Sequence, residues 1–435
     1  MKTKELTGSS ALILGYGREG KSMEQWLTHW YSTIRIGIAD KTRSADYLSH
    51  LARYDTIIRS PGVSPYVPEI IAYAKMGGHV TSATNIFFSL CPGMTIGVTG
   101  TKGKSTTASL IAHILSSKYP DVRLVGNIGI PMLDHLEGAT KETIFVMELS
   151  SHQLADVHYS PHVAVLLPIV PEHQDYYPDV ATYASAKKNI TNFQTDKDFI
   201  IYDESNTDLD LLVGASHAQK YWYTSKEKTQ YSSAWFQGKA VMLHDREVVL
   251  QSDIKLLGNK HSLLAAATVG DICKLSPVEI GSSMKTFRPL PHRLEFAGEK
   301  NAVRYVNDSL ATIPEATVHA LDALGADVAT LIAGGFDRHL SYEVLGSRLV
   351  NSSITTLILF PDTGKRIWEA LVKAQPKTAI KKYTASSMSE AVRIAAERTP
   401  KGKICLLSPA SASFNMFRDY VDRGEQFKEC VRKLE

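Results

Sequence analysis

Four cysteines in 435 residues (Cys91, Cys273, Cys405 and Cys430) form no CxxC pair and no disulfide framework, which fits a reducing compartment. No run of about 18 apolar residues occurs, so no membrane insertion is expected. After the basic start MKTK the first apolar run is only Ala11–Leu14, too short for the core of a signal peptide. Excess charge is lacking too. The net charge of +3 makes no electrostatic case for nucleic acid or an anionic membrane. Short repeats and low-complexity segments are missing as well. These absences lead us to expect a soluble cytoplasmic protein, and we expect a monomer. At 44% hydrophobic and 21% charged residues the chain is ordinary globular material, and its length calls for two or three domains.

One stretch organises the rest: Thr95–Thr107, TIGVTGTKGKSTT. The β-branched run Thr95–Thr99 reads as a strand, Gly100 and Gly103 as a loop, and Lys104-Ser105-Thr106 as the opening of a helix with apolar positions at Ala108, Leu110, Ile111, Ile114 and Leu115. Such a turn aims backbone N–H groups and a helix dipole at one anion. Lys104 adds a point charge, and Ser105 or Thr106 a hydroxyl for Mg²⁺. The strict phosphate-loop pattern would have glycine at Val98, so this is a shorter form, G-T-x-G-K-S-T.

In the first expected domain, residues 1–92, strands and helices alternate over 9–90, with strands at Ser10–Leu14, Thr33–Ala39 and Thr56–Arg59 and a helix at Lys21–Trp30. The turn Gly15-Tyr16-Gly17-Arg18-Glu19-Gly20 with Asp40 about 20 positions on matches a dinucleotide pattern, or a Rossmann-like turn holding another nucleotide diphosphate. Residues 93–296 read as a central ATP-binding α/β domain, with strands around Thr95–Val98, Leu124–Val125, Ile144–Met147, Val163–Leu167, Phe199–Tyr202, Tyr221–Tyr223, Ala240–Leu243 and Glu247–Leu250 and a helix at His261–Cys273. Pro289 and Pro291, at the start of the LPHRLEF segment, mark a hinge. Residues 297–435 repeat the rhythm, with strands at Val303–Asn307, Val328–Ala333, Thr356–Phe360 and Ile404–Leu407 and helices at Ile313–Leu324, Lys365–Ala374, Ser387–Arg398 and Phe414–Leu434. The expected fold is α/β in three domains, Rossmann-like at both ends with a phosphate-loop ATPase type between them.

Glu148 ends an apolar strand, where a Mg²⁺ ligand beside a phosphate loop is needed, against the plainer reading of a solvated strand end. His173 reads locally as a structural histidine, and Lys187, beside Lys188 on a helix, as a solvated lysine. Arg293 in the hinge suits a forked contact to a γ-phosphate. Asp308-Ser309, the Gly334–Arg338 segment and the Ser408–Phe414 segment close three strands, and suggest a carboxylate-bearing substrate near Arg338 and Ser413.

In order along nearly the whole chain, the segments GYGREG, SPGVSP, GTKGKSTT, GNIGIP, ELSSHQL, PEHQDYY, YASAK, LPHRLEF, NDSLAT, GGFDR, LLSPASASFNMF and RGEQF resemble those of the Mur ligase family, most of all its glutamate-adding branch. The resemblance implies an ATP-dependent ligase that adds D-glutamate to UDP-N-acetylmuramoyl-L-alanine through an acyl phosphate. It assigns ATP and phosphate to Gly100, Thr101, Lys102, Gly103, Lys104, Ser105, Thr106, Arg293 and Asp308. It assigns the UDP-sugar to Gly15, Tyr16, Gly17, Asp40, Ser60, Gly62, Asn127 and His173. Glutamate falls to Thr312, Arg338, Ser413, Phe414 and Tyr420. Mg²⁺, two ions, falls to Ser105, Glu148, His173 and Lys187, the last as a carbamate, which reverses the local reading of that lysine. Catalysis then rests on Lys104, Glu148, His173, Lys187 and Arg338.

Departures accompany the likeness. Lys102 replaces the asparagine of GTNGK, and Glu172 an aspartate. In GNKHSLLAAA, Lys260 and Leu264 occupy the usual histidine and second asparagine positions. Leu310 and Arg338 each replace a lysine, as in a branch that adds L-glutamate. That branch is one alternative. A nucleotide sensor without catalysis is another, and an NAD-dependent oxidoreductase built on GYGREG is a third, which leaves the phosphate loop unexplained.

Overall fold

The structure is a computed structural model, described here for residues 3–128, 131–170, 176–254, 260–288 and 291–434, excluding the side chain at position 180. It divides into two compact units, one of residues 1–254 and 260–287 and one whose main part is residues 288–435.

The first unit holds two sheets. Four parallel strands lie in the order Arg35–Ala39, Ser10–Leu14, Thr56–Arg59 and His79–Ser82. The larger sheet has nine strands, in the order Arg246–Leu250, Ala240–Leu243, Ser232–Gln237, Gln219–Tyr223, Phe199–Asp203, Val163–Leu166, Met94–Thr99, Ile144–Glu148 and Val122–Gly126. Its seven strands from Ser232–Gln237 to Val122–Gly126 run parallel, and the two at the other end run as an antiparallel meander. The phosphate-loop strand Met94–Thr99 sits between two parallel neighbours, and covering helices on the sheet bury its residues from Thr95 to Thr99.

One apolar core spans both sheets. It runs from Ile13, Met23, Leu27 and Ile58 through Ile86 and Phe87 to Phe145, Met147 and Leu149. Phe87 meets Phe145 edge to face at 5.1 Å. Each such ring contributes about 1.5–3 kcal/mol by leaving water, so the core ties the segment before residue 92 to the one after it.

The second unit is a six-stranded sheet, in the order Glu295–Lys300, Val303–Asn307, Ile404–Leu407, Val328–Gly335, Thr356–Asp362 and Lys381–Thr384, parallel except for its first strand. Helices Pro314–Leu324, Glu343–Val350 and Thr363–Ala374 bury one face through Leu321, Leu345, Leu349, Ile367 and Leu371. Helices Met388–Arg398 and Tyr420–Arg432 bury the other through Ala391, Val392, Phe427 and Val431.

The last helix starts later than the sequence suggests, at Tyr420 rather than Phe414. Asp419 accepts the Asp422 N–H at 2.8 Å as its N-cap, and Ser413–Arg418 form turns before it. The polar edge strands Glu295–Lys300 and Lys381–Thr384 and the helices Pro68–Lys75 and Pro277–Thr286 escape the sequence reading.

Candidate active site

Strand, loop and helix meet as the phosphate-loop reading expects. Gly100 has φ +145 and Gly103 φ +83, both in the left-handed half that favours glycine. A Cβ on Gly100 would lie 2.6 Å from that of Leu167. The helix Lys104–Leu115 starts directly after Gly103 without a side-chain cap, so its first amides face the loop. Lys104 Nζ donates to the carbonyls of Gly100 (3.0 Å) and Thr101 (2.9 Å). Ser105 is buried, Thr106 half-buried and Lys102 exposed. The Thr101 hydroxyl donates to Val170 O at 2.9 Å and meets the Tyr183 hydroxyl at 3.0 Å, which steadies the loop.

Lys187 is not solvated. It is 1% exposed, its Nζ donates to Gly100 O at 2.9 Å, and it stands 4.8 Å from the centre of the Tyr183 ring. Tyr183 and Lys187 are four residues apart on the helix Val180–Lys188, hence on one face. That spacing puts the two side chains together in YASAK but does not say that the face is covered. The Nζ atoms of Lys104 and Lys187 thus converge on one loop carbonyl.

Glu148 is 1% exposed at the end of its strand, so the solvated-end reading fails. Its Oε1 accepts from Asn127 Nδ2 at 2.9 Å. Its Oε2 is buried with no hydrogen-bond partner among the described residues. A carboxylate oxygen so placed is costly unless a cation meets it, and the donor set of Glu148 and Ser105 is the hard-oxygen kind that Mg²⁺ takes. No cluster of three or more metal-ligating His, Cys, Asp or Glu side chains occurs among the described residues, and His173 lies outside them.

A cavity of about 370 Å³ brings Gly62, Lys104, Asn127, Ser151, His152 and Lys187 together. It therefore joins the loop after Thr56–Arg59 to the phosphate loop. Nearby, Gly15 adopts φ +92, and its carbonyl accepts the Ser60 hydroxyl at 2.6 Å. Asp40 accepts the N–H groups of Tyr16 (2.6 Å) and Thr42 (2.8 Å) and the Thr42 hydroxyl (2.6 Å). These bonds, the Thr42 hydroxyl foremost, pull its carboxyl down to about 2. Gly17 precedes the helix Arg18–Trp30, and the Arg43 guanidinium sits 4.3 Å from the Tyr16 ring centre.

In the second unit the strand ends converge. Asp308 is 6% exposed and accepts from the Ser408 hydroxyl (2.7 Å) and Leu294 N–H (3.2 Å). Burial pushes its carboxyl up to about 7, with the Ser408 bond and the Arg293 charge offsetting only part. Phe336 N–H donates to Ala412 O at 2.9 Å, and Phe336 meets Phe414 ring to ring at 6.2 Å, joining the GGFDR and SPASASF segments. Ser413 is buried, Thr312 half-buried, and Arg293, Arg338, Phe414 and Tyr420 are exposed.

The profile of the Mur ligase middle domain matches residues 98–269. The chain is 34% identical over 401 residues to the UDP-N-acetylmuramoylalanine–D-glutamate ligase of Acetivibrio thermocellus, covering 89% of this chain and 85% of that one. The chain belongs to the Mur ligase family. A second relative of the same name, from Clostridium tetani, is 34% identical over 396 residues, again covering 89% and 85%. By fold it is similar to the MurF ligase of Thermotoga maritima in complex with ADP, at a TM-score of 0.56 and 18% identity over 99% of this chain and 97% of that one.

Two buried arginines of this Mur ligase went unread in its sequence. Arg423 is fully buried and donates to the Ser309 hydroxyl (2.9 Å), Ser309 O (2.8 Å) and Ser411 O (3.0 Å), fastening two of the converging segments. Burial pulls its guanidinium down to about 9. Arg59, also buried, joins the Ser60–Val63 loop to the segment after Glu148. The motif RGEQF contains the first, but its neighbours Asp422 and Glu425 give a helix start that reads as solvated. For Arg59, at the end of an apolar strand, nothing local announces the partner.

Proposed function

We propose that this Mur ligase adds D-glutamate to UDP-N-acetylmuramoyl-L-alanine with ATP as the driving substrate, a step of peptidoglycan precursor synthesis. The observation that carries the reading is the single cavity shared by Gly62 and Asn127 with Lys104 and Lys187. That Gly62 of the proposed sugar-nucleotide loop and Lys104 of the phosphate loop line the same cavity supports this reading.

In the proposed reaction the acceptor carboxylate attacks the γ-phosphorus, the bond to the β-phosphate oxygen breaks, and ADP leaves. The glutamate amine then attacks the acyl carbon, the acyl carbon–oxygen bond breaks, phosphate departs with that oxygen and the amine proton is lost to solvent. Lys104 neutralises charge that develops on the transferring phosphoryl group. Ser105, Glu148, His173 and Lys187, the last as a carbamate, are proposed to hold Mg²⁺, which supplies further charge neutralisation when bound. Gly15, Tyr16, Gly17, Asp40, Ser60, Gly62 and Asn127 are assigned to the UDP-sugar, and Arg293 and Asp308 to the nucleotide. Thr312, Arg338, Ser413, Phe414 and Tyr420 are assigned to glutamate. Segments 1–92, 93–296 and 297–435 are proposed as the acceptor, ATP and amino-acid domains. No helix among the described residues is long and apolar enough to cross a membrane. The reaction is proposed to take place in the cytoplasm.

Leu310 and Arg338, where lysines are usual, favour L-glutamate as a second reading. Phosphate release is measured with ATP, Mg²⁺ and UDP-N-acetylmuramoyl-L-alanine, with D-glutamate in one tube and L-glutamate in the other. Release with D-glutamate alone, silenced by Lys104→Ala, supports the reading. Release with L-glutamate alone replaces it with the second, and silence in both leaves a nucleotide sensor. The intact protein kept in bicarbonate is weighed in parallel: a CO₂ adduct absent from Lys187→Arg supports the carbamate, and equal masses reject it.

A further inference from the structure

Arg59 ends the strand Thr56–Arg59 with its side chain wholly buried. Its Nε and Nη2 each donate to an oxygen of Asp156 at 2.6 Å. Nη2 also donates to His152 O at 3.0 Å. Nη1 donates to Val63 O (2.7 Å), Ser60 O (3.2 Å) and the Tyr176 hydroxyl (3.2 Å). That hydroxyl in turn lies 2.9 Å from Pro61 O and 3.0 Å from Val63 O. The Tyr176 ring stands edge-on to His152, centroids 4.0 Å apart. Burial works against the guanidinium's charge, and the Asp156 carboxylate outweighs it, so Arg59 stays charged.

The acceptors fall in two groups, and both border one space. Ser60 and Val63 bracket Pro61 and Gly62, which line the cavity, and His152 lines it beside Ser150 and Ser151. Lys104, Asn127 and Lys187 line the same cavity. Pro61 and Gly62 follow the four-stranded sheet, whereas Ser150–His152 follow the central one. A single planar fork therefore bridges two walls that come from different sheets. We propose that Arg59 is a positioning residue of the ligase, setting the distance between the sugar-nucleotide loop and the phosphate loop and so between acceptor carboxylate and γ-phosphate. This rests on the acceptor proposed above.

The alternative is that the pair merely anchors one sheet to the other. Geometry separates the two roles. An ion pair replaced by apolar side chains of similar size often leaves stability unchanged, but the carbonyls of Ser60, Val63 and His152 then lose their common donor. Reaction rates are far more sensitive, since about 1 Å of misplacement can cost about a hundredfold. Lysine keeps the charge opposite Asp156 without the fork.

The test uses the full chain with Arg59→Lys and the double variant Arg59→Leu/Asp156→Leu. Thermal melts and steady-state kinetics are run for each, with KM measured separately for ATP and for UDP-N-acetylmuramoyl-L-alanine. Both variants are expected to melt within a few degrees of the parent. The acceptor KM is expected to rise about tenfold or more in both, and kcat to fall by up to about a hundredfold, with the ATP KM within about twofold. Folded variants with parental acceptor KM and kcat would overturn the inference, as would losses that track only the folded fraction. If the double variant does not fold, Arg59→Lys decides alone. A parent that turns over no acceptor overturns the functional reading together with the inference. A working parent matched by its variants overturns the inference only.

Discussion

Asp40 and Asp308 each follow the last residue of a parallel strand, Ala39 in the first unit and Asn307 in the second. Asp40 is half-buried, takes three hydrogen bonds from Tyr16 and Thr42, and is drawn down to about 2. Asp308 is buried with two donors and is pushed up to about 7. The same residue at the same topological place is a fixed anion in one unit and a titrating group in the other. Donor count and access to water decide the charge, not the position at a strand end. Asp40 braces the glycine turn, whereas Asp308 is able to gain or lose a proton near neutrality.

The largest break in this comparison is expected from Asp308→Asn. A carboxyl raised in the folded state contributes stability that is full below pH 4 and lost as pH climbs from about 4 to about 7. The rise from 3.8 to about 7 corresponds to about 4 kcal/mol as an upper limit. Urea melts of the parent should therefore weaken between pH 4 and 8, while those of Asp308→Asn stay flat and exceed the parent at pH 8. Equal parental stability at both pH values would show Asp308 to be an ordinary anion.

Asp40→Asn is expected to act in the opposite window and more weakly. Its lowered carboxyl stabilises the fold above about pH 4 and loses that effect as pH falls toward 2. The variant should lose acid sensitivity in that range. Because Tyr16 N–H would exchange an ionic acceptor for a neutral one, the acceptor KM should rise about tenfold, near 1.4 kcal/mol. An unchanged KM would separate Asp40 from the sugar-nucleotide site.

The smallest effects sharpen the contrast without removing either carboxylate. Thr42→Ala deletes the bond with the largest hold on Asp40 and should raise its midpoint toward 3.8. Ser408→Ala should lift Asp308 above about 7. Each midpoint is expected to rise by about one pH unit, and carbon-13 titration of the two carboxyls reads both. Movement of the two midpoints in opposite directions would contradict the donor-count account.

Much of the fold was legible because many of its strands are short, largely apolar runs bounded by polar or turn-forming residues. Ser10–Leu14, Thr56–Arg59, Ala240–Leu243, Val303–Asn307 and Ile404–Leu407 coincide with their expected limits. The edge strands Lys381–Thr384 and Glu295–Lys300 were missed because an exposed edge tolerates lysine and glutamate, which erase the apolar signal. The phosphate loop was legible for a related reason: strand, glycines, lysine and helix lie within thirteen residues, and their geometry is local.

Lys187 and Arg59 were not legible from their surroundings. Lys187 meets Gly100, 87 residues away, and Arg59 meets Asp156, 97 residues away. Whether a charged side chain is solvated or buried depends on what covers it, and no local pattern encodes the cover. The sequence by itself determined where strands, turns and the phosphate loop form, because these follow from backbone preference and apolar spacing over short distances. Only the tertiary structure decided which charges are buried, how Lys104 and Lys187 come to share one carbonyl, and that Asp40 and Asp308 carry different charge. Burial and desolvation are properties of packed surroundings drawn from distant parts of the chain.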